Sequence, residues 1–270
     1  MTDEKAYVLG THDAEIERLG IQHRVWRARA LEGWSRAGFT VGHRIIDVGC
    51  GPGYATADLA ELVGSSGEIV SIDRSERFLE VVRRTAELRG LPVKTLSIDF
   101  AEGGVPPLDA DGAWVRWVFA FVPRPQELLR SIHAALKPGG RLVVHEYFDY
   151  RTWRLSPRDE YFERFVDAVM KSWREEGGEP DVGLDLPRWM RELGFEVAWR
   201  QFSDMIRPHD PFWQWPRAFI ETGLQQMIDL GRVTRDEAVR VRAAFERVTT
   251  DPHAHMVIPS VVELVATKPR

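Results

Sequence analysis

The residues with the clearest chemical possibilities stand in one short stretch, Asp47-Val48-Gly49-Cys50-Gly51-Pro52-Gly53. An apolar, β-branched run from Arg44 to Val48 leads into an acid and three glycines spaced two apart. Glycines at that spacing let a backbone turn sharply and approach a ligand with no Cβ in the way. A helical pattern begins at about Tyr54, and a helix start offers N–H groups that have no intrahelical partner. Such a strand–loop–helix binds a nucleotide-like ligand at the carboxyl edge of a sheet. A phosphate-binding P-loop is excluded, because no Gly-Lys-Ser/Thr follows. A dinucleotide fingerprint needs its third glycine at position 54, which is Tyr54.

Two further acids repeat this placement. The second strand, Glu68 to Ile72, ends at Asp73, and the third, Val93 to Ile98, ends at Asp99-Phe100. Asp47, Asp73 and Asp99 therefore recur at equal steps of one strand–helix unit. Acids that end parallel strands gather at one edge of the sheet, where open α/β folds bind ligands. The fourth strand, Ala113 to Val118, leads to Phe119 and Phe121, and the fifth, Arg141 to Glu146, leads to Tyr147, Phe148 and Tyr150. Aromatic residues after both strands predict either a flat, apolar ligand at that edge or packing beneath a cover.

The elements that must position these side chains follow an α/β rhythm from Phe39 to about residue 150. Ahead of it, residues 12–38 read as a helix with Ile16, Leu19, Trp26, Ala30 and Trp34 close to one stripe. Gln22 and His23 lie on the same stripe and need partners, either in an internal hydrogen bond or in a ligand. Ser75 can cap a helix whose core face is Phe78, Leu79, Val82 and Ala86. After Tyr147 the rhythm changes to helices over 156–176, 186–193, 216–230 and 235–248, with strands at Phe195 to Phe202 and Met256 to Thr267. Helices inserted between late strands cannot join the sheet, so a lid over its ligand edge is expected. The reading is one overall domain: a helical cap (1–38), an α/β core (39–150), a helical lid (151–194) and a terminal strand pair with a helical insertion (195–270).

The glycine stretch, together with Lys137-Pro138-Gly139-Gly140 before an apolar strand, resembles the class I S-adenosylmethionine-dependent methyltransferases. Within them the chain is most similar to small-molecule enzymes of the ubiquinone/menaquinone-biosynthesis type, chiefly over residues 40–150. The resemblance implies a Rossmann-like, seven-stranded, mostly parallel sheet flanked by helices, with S-adenosyl-L-methionine as cofactor. It also implies roles. Asp47 and the backbone of Gly49, Gly51 and Gly53 would hold the methionine part, and Asp73 would accept both ribose hydroxyls. Arg74 would stack on the adenine, Asp99 would accept its amino proton, and Phe100 would pack on its ring. The backbone at Arg116-Trp117 would face the cofactor's amino group, and Tyr7 and Gln22 would add contacts from the N-terminal segment. Trp26, Phe119, Phe121, Tyr147 and Phe148 would face the acceptor. Glu146, at the end of the fifth strand, is the candidate base for an aromatic acceptor, with His23 and His145 as alternatives. A competing reading pairs Glu146 with Arg151 or Arg154.

The implied reaction is in-line methyl transfer to carbon or oxygen of a small aromatic or heteroaromatic molecule, in secondary or natural-product metabolism. The rival readings are a methyltransferase acting on protein or nucleic acid, and a non-catalytic cofactor-binding protein. A net charge of −5 and the lack of any Lys/Arg run argue against a nucleic-acid partner. At 44% hydrophobic and 29% charged, the chain is too apolar for disorder. No apolar run reaches membrane-spanning length, and Met1-Thr2-Asp3-Glu4-Lys5 does not read as a secretory leader. Cys50 is the one cysteine, so no internal disulfide is possible and a cytoplasmic setting is expected. No metal ion is expected, and a homodimer is compatible with the reading. Ten tryptophans invite a search for an aromatic pocket.

Overall fold

Short β-branched runs with no polar face must be buried on both sides, and here they become the inner strands of one sheet. The computed structural model describes residues 13–270. Helix α1 (Asp13–Arg36) precedes strand β1 (Arg44–Val48), α2 (Tyr54–Val63), β2 (Glu68–Asp73), α3 (Glu76–Arg89) and β3 (Val93–Ser97). Next come β4 (Ala110–Arg116), a 3-10 turn at Phe119–Phe121, α4 (Pro125–Ala135) and β5 (Leu136–Asp149). The second half holds β6 (Arg154–Ser156), α5 (Glu160–Glu175), α6 (Leu186–Glu192), β7 (Glu196–Phe202) and β8 (Met205–Ile206). It ends with α7 (Gln214–Asp229), α8 (Arg235–Thr250), β9 (His255–Val257) and β10 (Ser260–Thr267).

The main sheet has seven strands in the order β3-β2-β1-β4-β5-β10-β7. The first five are parallel, and β10 runs antiparallel between β5 and β7. This is the Rossmann-like, mostly parallel sheet expected from the sequence. Local chemistry sets the helix ends. Ser75 Oγ accepts the Phe78 N–H at 3.3 Å to start α3, and Gly90 stops that helix in the left-handed region. Asp159 caps α5, and Thr234 with Glu237 forms a capping box on α8. No helix among the described residues is long and apolar enough to cross a membrane.

Three expectations change. Strand β5 runs from Leu136 to Asp149, so Glu146 lies within it and not at its end. Strand β4 starts at Ala110 and stops at Arg116, because Trp117 turns out of the strand with a φ of +52°. The last strand is two strands: β10 joins the main sheet, while β9 pairs with β6 and β8 in a second, three-stranded antiparallel sheet. At three and two residues, β6 and β8 are too short to show a period in the sequence.

Helix α1 lies across the sheet with Trp26 and Trp34 fully buried, and Trp34 meets Trp114 edge-on at 5.3 Å. Beneath it a polar group is sealed in. Glu263 of β10, opposite His145 of β5, accepts from His145 Nε2 at 2.7 Å and from Arg200 Nε at 2.9 Å, and also pairs with Arg36. Burial and the surrounding arginines hold His145 well below the usual imidazole range. The ring is therefore neutral and carries its proton on Nε2. Arg36 and Arg200 reach solvent, but His145 does not. Glu263→Ala should therefore lower stability by on the order of 3 kcal/mol in urea unfolding, mainly by stranding the His145 N–H. A loss near zero would show that the buried carboxylate does not stabilise this layer.

Candidate active site

The chain leaves β1 through the glycine loop. Gly49 has a φ of +67°, and a Cβ there would lie 2.4 Å from Val118 Cγ2, so a side chain would force two site loops apart. The N–H groups of Gly49 and Cys50 both donate to the Ile72 carbonyl, at 2.8 and 3.0 Å. Gly51 N–H donates to Asp73 Oδ2 at 2.9 Å, and Ser75 N–H donates to Asp73 Oδ1 at 2.9 Å. Burial pushes the Asp73 carboxyl above its ordinary range, and these N–H groups pull it back. A carboxylate has roughly four acceptor positions, so Asp73 keeps capacity for a ligand in the cavity it lines. Asp47 accepts from Thr56 Oγ1 at 2.6 Å, and burial pushes its carboxyl up to about 6. Asp99 accepts the Ala101 N–H at 2.9 Å and sits 3.9 Å from Arg74.

Arg116 ends β4 in the same cavity. Its Nη1 is buried and has no partner among the described residues. Its Nη2 donates to His23 Nδ1 at 3.1 Å, and His23 Nε2 donates to Asp58 Oδ2 at 3.0 Å. Burial draws His23 below its usual range, so the ring stays neutral and can accept from Arg116. Burial also draws the Arg116 guanidinium down to about 10, which leaves it cationic at neutral pH.

The opposite wall is aromatic. Trp117 stacks on Tyr147 at 5.5 Å and on Trp215 at 5.4 Å, with interplanar angles of 19° and 15°. Left-handed backbone at a bulky residue costs about 1–3 kcal/mol, and aromatic pairs of this kind offset about 0.5–1.5 kcal/mol each. The turn at Trp117 is therefore held by the stack it creates. Helix α1 adds Arg18 and Gln22, α5 adds Trp173, and α7 adds Trp215 and Phe219, enclosing a cavity of about 430 Å³.

A family model described as a methyltransferase domain matches residues 39–176. The demethylmenaquinone methyltransferase of Lactococcus lactis is 35% identical over 130 residues, 46% of this chain and 49% of that protein. The 2-phytyl-1,4-naphtoquinone methyltransferase of Synechococcus elongatus is 32% identical over 185 residues, 65% of this chain and 77% of that protein. The chain belongs to the class I S-adenosylmethionine-dependent methyltransferases. It spans about half the length of the Lactococcus relative. Solved structures agree on the fold. The phosphoethanolamine N-methyltransferase 2 of Haemonchus contortus, in complex with S-adenosyl-L-methionine, superposes with a TM-score of 0.58 at 17% identity, covering 94% of this chain and 57% of that one. The cyclase SpnF superposes with a TM-score of 0.56 at 22% identity, covering 90% and 81%. One fold thus carries different named reactions, and the site must decide between them.

The cavity brings together Gln22, Asp47, Gly49, Gly51, Asp73 and Arg74 with Asp99, Phe100, Arg116, Trp117, Phe121 and Tyr147. Gly53 does not line it and instead packs its backbone against Val82. Tyr7 lies outside the described residues. Trp26 and Phe119 are fully buried core residues, and Trp26 supports the wall by meeting Trp117 and Trp215 edge-on at 5.3 and 5.1 Å. Phe148 packs on the core outside the cavity. Sequence reasoning missed Glu15, Arg18, Trp153, Trp173, Trp215 and Phe219. The tryptophan count signalled only the three tryptophans among them, because the six come from α1, α5, α7 and the link before β6.

The three candidate bases do not line the cavity. His145 faces Glu263 on the far side of the sheet, and His23 is engaged by Asp58 and Arg116. Glu146 is fully buried, accepting the Tyr147 N–H at 3.0 Å and the Ala120 N–H at 3.3 Å, with the N–H groups of Phe119 and Val118 also turned to it. It pairs with neither Arg151, which meets Asp167, nor Arg154. The turn after β4 presents backbone donors that need an acceptor, and Glu146 supplies it.

Burial pushes the Glu146 carboxyl up to about 8, against an ordinary value of 4.5. The folded chain therefore holds this proton more tightly than the unfolded chain. The stability it contributes is complete below pH 4.5 and is lost as pH rises through about 8. Between pH 6 and pH 9 the urea midpoint of the wild type should fall more than that of Glu146→Gln, whose amide does not titrate. Parallel falls would show that other groups govern stability in this range.

Proposed function

We propose that this protein transfers a methyl group from S-adenosylmethionine to carbon or oxygen of a small aromatic acceptor. One observation carries the reading: a single cavity joins the acid-and-glycine edge of the sheet to a wall of stacked rings. The naming of two relatives for quinone substrates supports the same class of acceptor. Hydroxylated aromatic natural products belong to that class.

The residues at the edge fit the cofactor. Asp73 has acceptor capacity for a ribose diol, and Asp99 and Phe100 can receive an adenine amino group and ring beside Arg74. The glycine loop and Asp47 would hold the methionine end, where the unpaired Nη1 of Arg116 suits its carboxylate. When bound, S-adenosylmethionine supplies a methyl group made electrophilic by its sulfonium. The chain's own work is to align the acceptor at near-attack distance and to keep water out with α1, α5 and α7. Arg116 is positioned by His23 and Asp58, so those two residues act on ligand binding through it.

Calorimetry with S-adenosylhomocysteine tests the edge. Asp73→Ala should weaken binding by on the order of 1.5–3 kcal/mol, the size of hydrogen bonds to a charged acceptor. Methyl-labelled S-adenosylmethionine offered with hydroxynaphthalenes should give labelled aromatic product. Label appearing only in added protein or nucleic acid would reassign the acceptor.

A further inference from the structure

Two phenol hydroxyls in the cavity have no hydrogen-bond partner among the described residues. Tyr147 and Tyr150 are 6% and 2% exposed, and both line the cavity. Their bonded contacts run through backbone N–H groups, to Glu146 and Asp181, and not through Oη. Neither hydroxyl is among the buried polar atoms sealed away without a partner, so both open onto the cavity. The rings meet edge-to-face at 4.9 Å, which places the two hydroxyl-bearing side chains against each other.

Arg18 faces the same space from α1. Glu15 takes its Nε and Nη2 at 2.7 Å each, and Gln22 takes Nη1 at 3.1 Å. One N–H therefore remains on each terminal nitrogen. The Arg18 charge acts on both phenols, and Arg116 adds a second positive charge beside Tyr147. Of the facing acids, Glu15 is ion-paired with Arg18, so that pair offers the cavity the remaining Arg18 N–H donors with little net charge; Glu146 is kept in its protonated form by burial at neutral pH, and Asp47, Asp73 and Asp99 line the acid-and-glycine edge of the same cavity. Burial also pushes both phenols above their usual range, so they donate hydrogen bonds and do not serve as bases.

We propose that Tyr147, Tyr150 and Arg18 form an oxyanion subsite that binds the aromatic acceptor through an ionised ring oxygen, a phenolate. This rests on the methyl-transfer reading and specifies its acceptor. The phenol gives its proton to solvent before binding, so the site needs no base of its own. In transfer to oxygen, the O–C bond forms as the C–S bond breaks, the electron pair stays on sulfur, and no further proton moves. In transfer to an ortho carbon, the C–C bond forms, the ring oxygen becomes a carbonyl, and the ring proton leaves to water as aromaticity returns. The two phenols and Arg18 thereby select for acceptors that carry an acidic hydroxyl.

The probe is 4-nitrophenol, whose phenolate absorbs visible light and whose phenol does not. It is added to full-length protein saturated with S-adenosylhomocysteine, and its ionisation is followed by absorbance against pH. The bound probe should ionise about one pH unit lower than the free probe, a tenfold preference for the anion. The methyl ether, 4-nitroanisole, should compete at least about tenfold more weakly. Tyr147→Phe and Tyr150→Phe should each reduce that tenfold preference by about threefold, within the range of a net hydrogen bond. The double change E15Q/R18Q should reduce it similarly while removing an ion pair as a unit. If S-adenosylhomocysteine binds but the probe does not, or binds with unshifted ionisation, the subsite is refuted and the cofactor reading stands. If S-adenosylhomocysteine itself gives no heat, the methyl-transfer reading fails and the subsite falls with it.

Discussion

The carboxylate of Asp73 ties the end of β2 to the glycine loop through Gly51 and to the start of α3 through Ser75. Without that tie, three backbone turns at the carboxyl edge would have no common anchor. A buried carboxylate survives there only because backbone N–H groups surround it. The geometry it enforces brings the loop, Asp47 and Asp99 to one cavity, which Asp73 also lines. In the proposed function the side chain that holds the loop would also meet the ribose.

A second constraint runs through the turn after β4. Trp117 leaves the strand in a left-handed conformation, and the N–H groups released by that turn converge on Glu146. The turned ring then stacks with Tyr147 and with Trp215, which also stack on each other. A buried acid below the surface and an aromatic platform above it are two faces of one local feature. This explains why the acid Glu146 within β5 is absorbed by the fold and leaves the aromatic side without a carboxylate of its own at that position.

The polar groups near the cavity fall into those already satisfied and those still open. His145 and His23 each have a charged partner on either the far face or the flank of the sheet. Arg116 Nη1 and the hydroxyls of Tyr147 and Tyr150 do not. Buried polar groups normally find partners, so open ones that line a cavity mark where a ligand completes the structure. Among the described residues, Arg116 Nη1 lies open at the acid-and-glycine edge, and the two phenols with the indole N–H groups of Trp117 and Trp173 lie open on the aromatic side.

The sequence by itself determined the parts that depend on local order. Asp47, Asp73 and Asp99 could be placed because strand period and helix caps are written within a dozen neighbouring residues, and each acid sits at or just past a strand end. The seven-stranded sheet was implied by the family resemblance of the glycine stretch and Lys137-Pro138-Gly139-Gly140. Only the tertiary structure decided the acceptor side. Trp173, Trp215 and Phe219 belong to helices far apart in the chain, and nothing local says that their faces meet. It also decided the fate of Glu146 and His145, since alternation along β5 shows that they face opposite ways but not what waits on either face. The reason is physical: a strand end is set by its own residues, whereas the partner of a buried polar side chain is set by whichever distant segment packs against it.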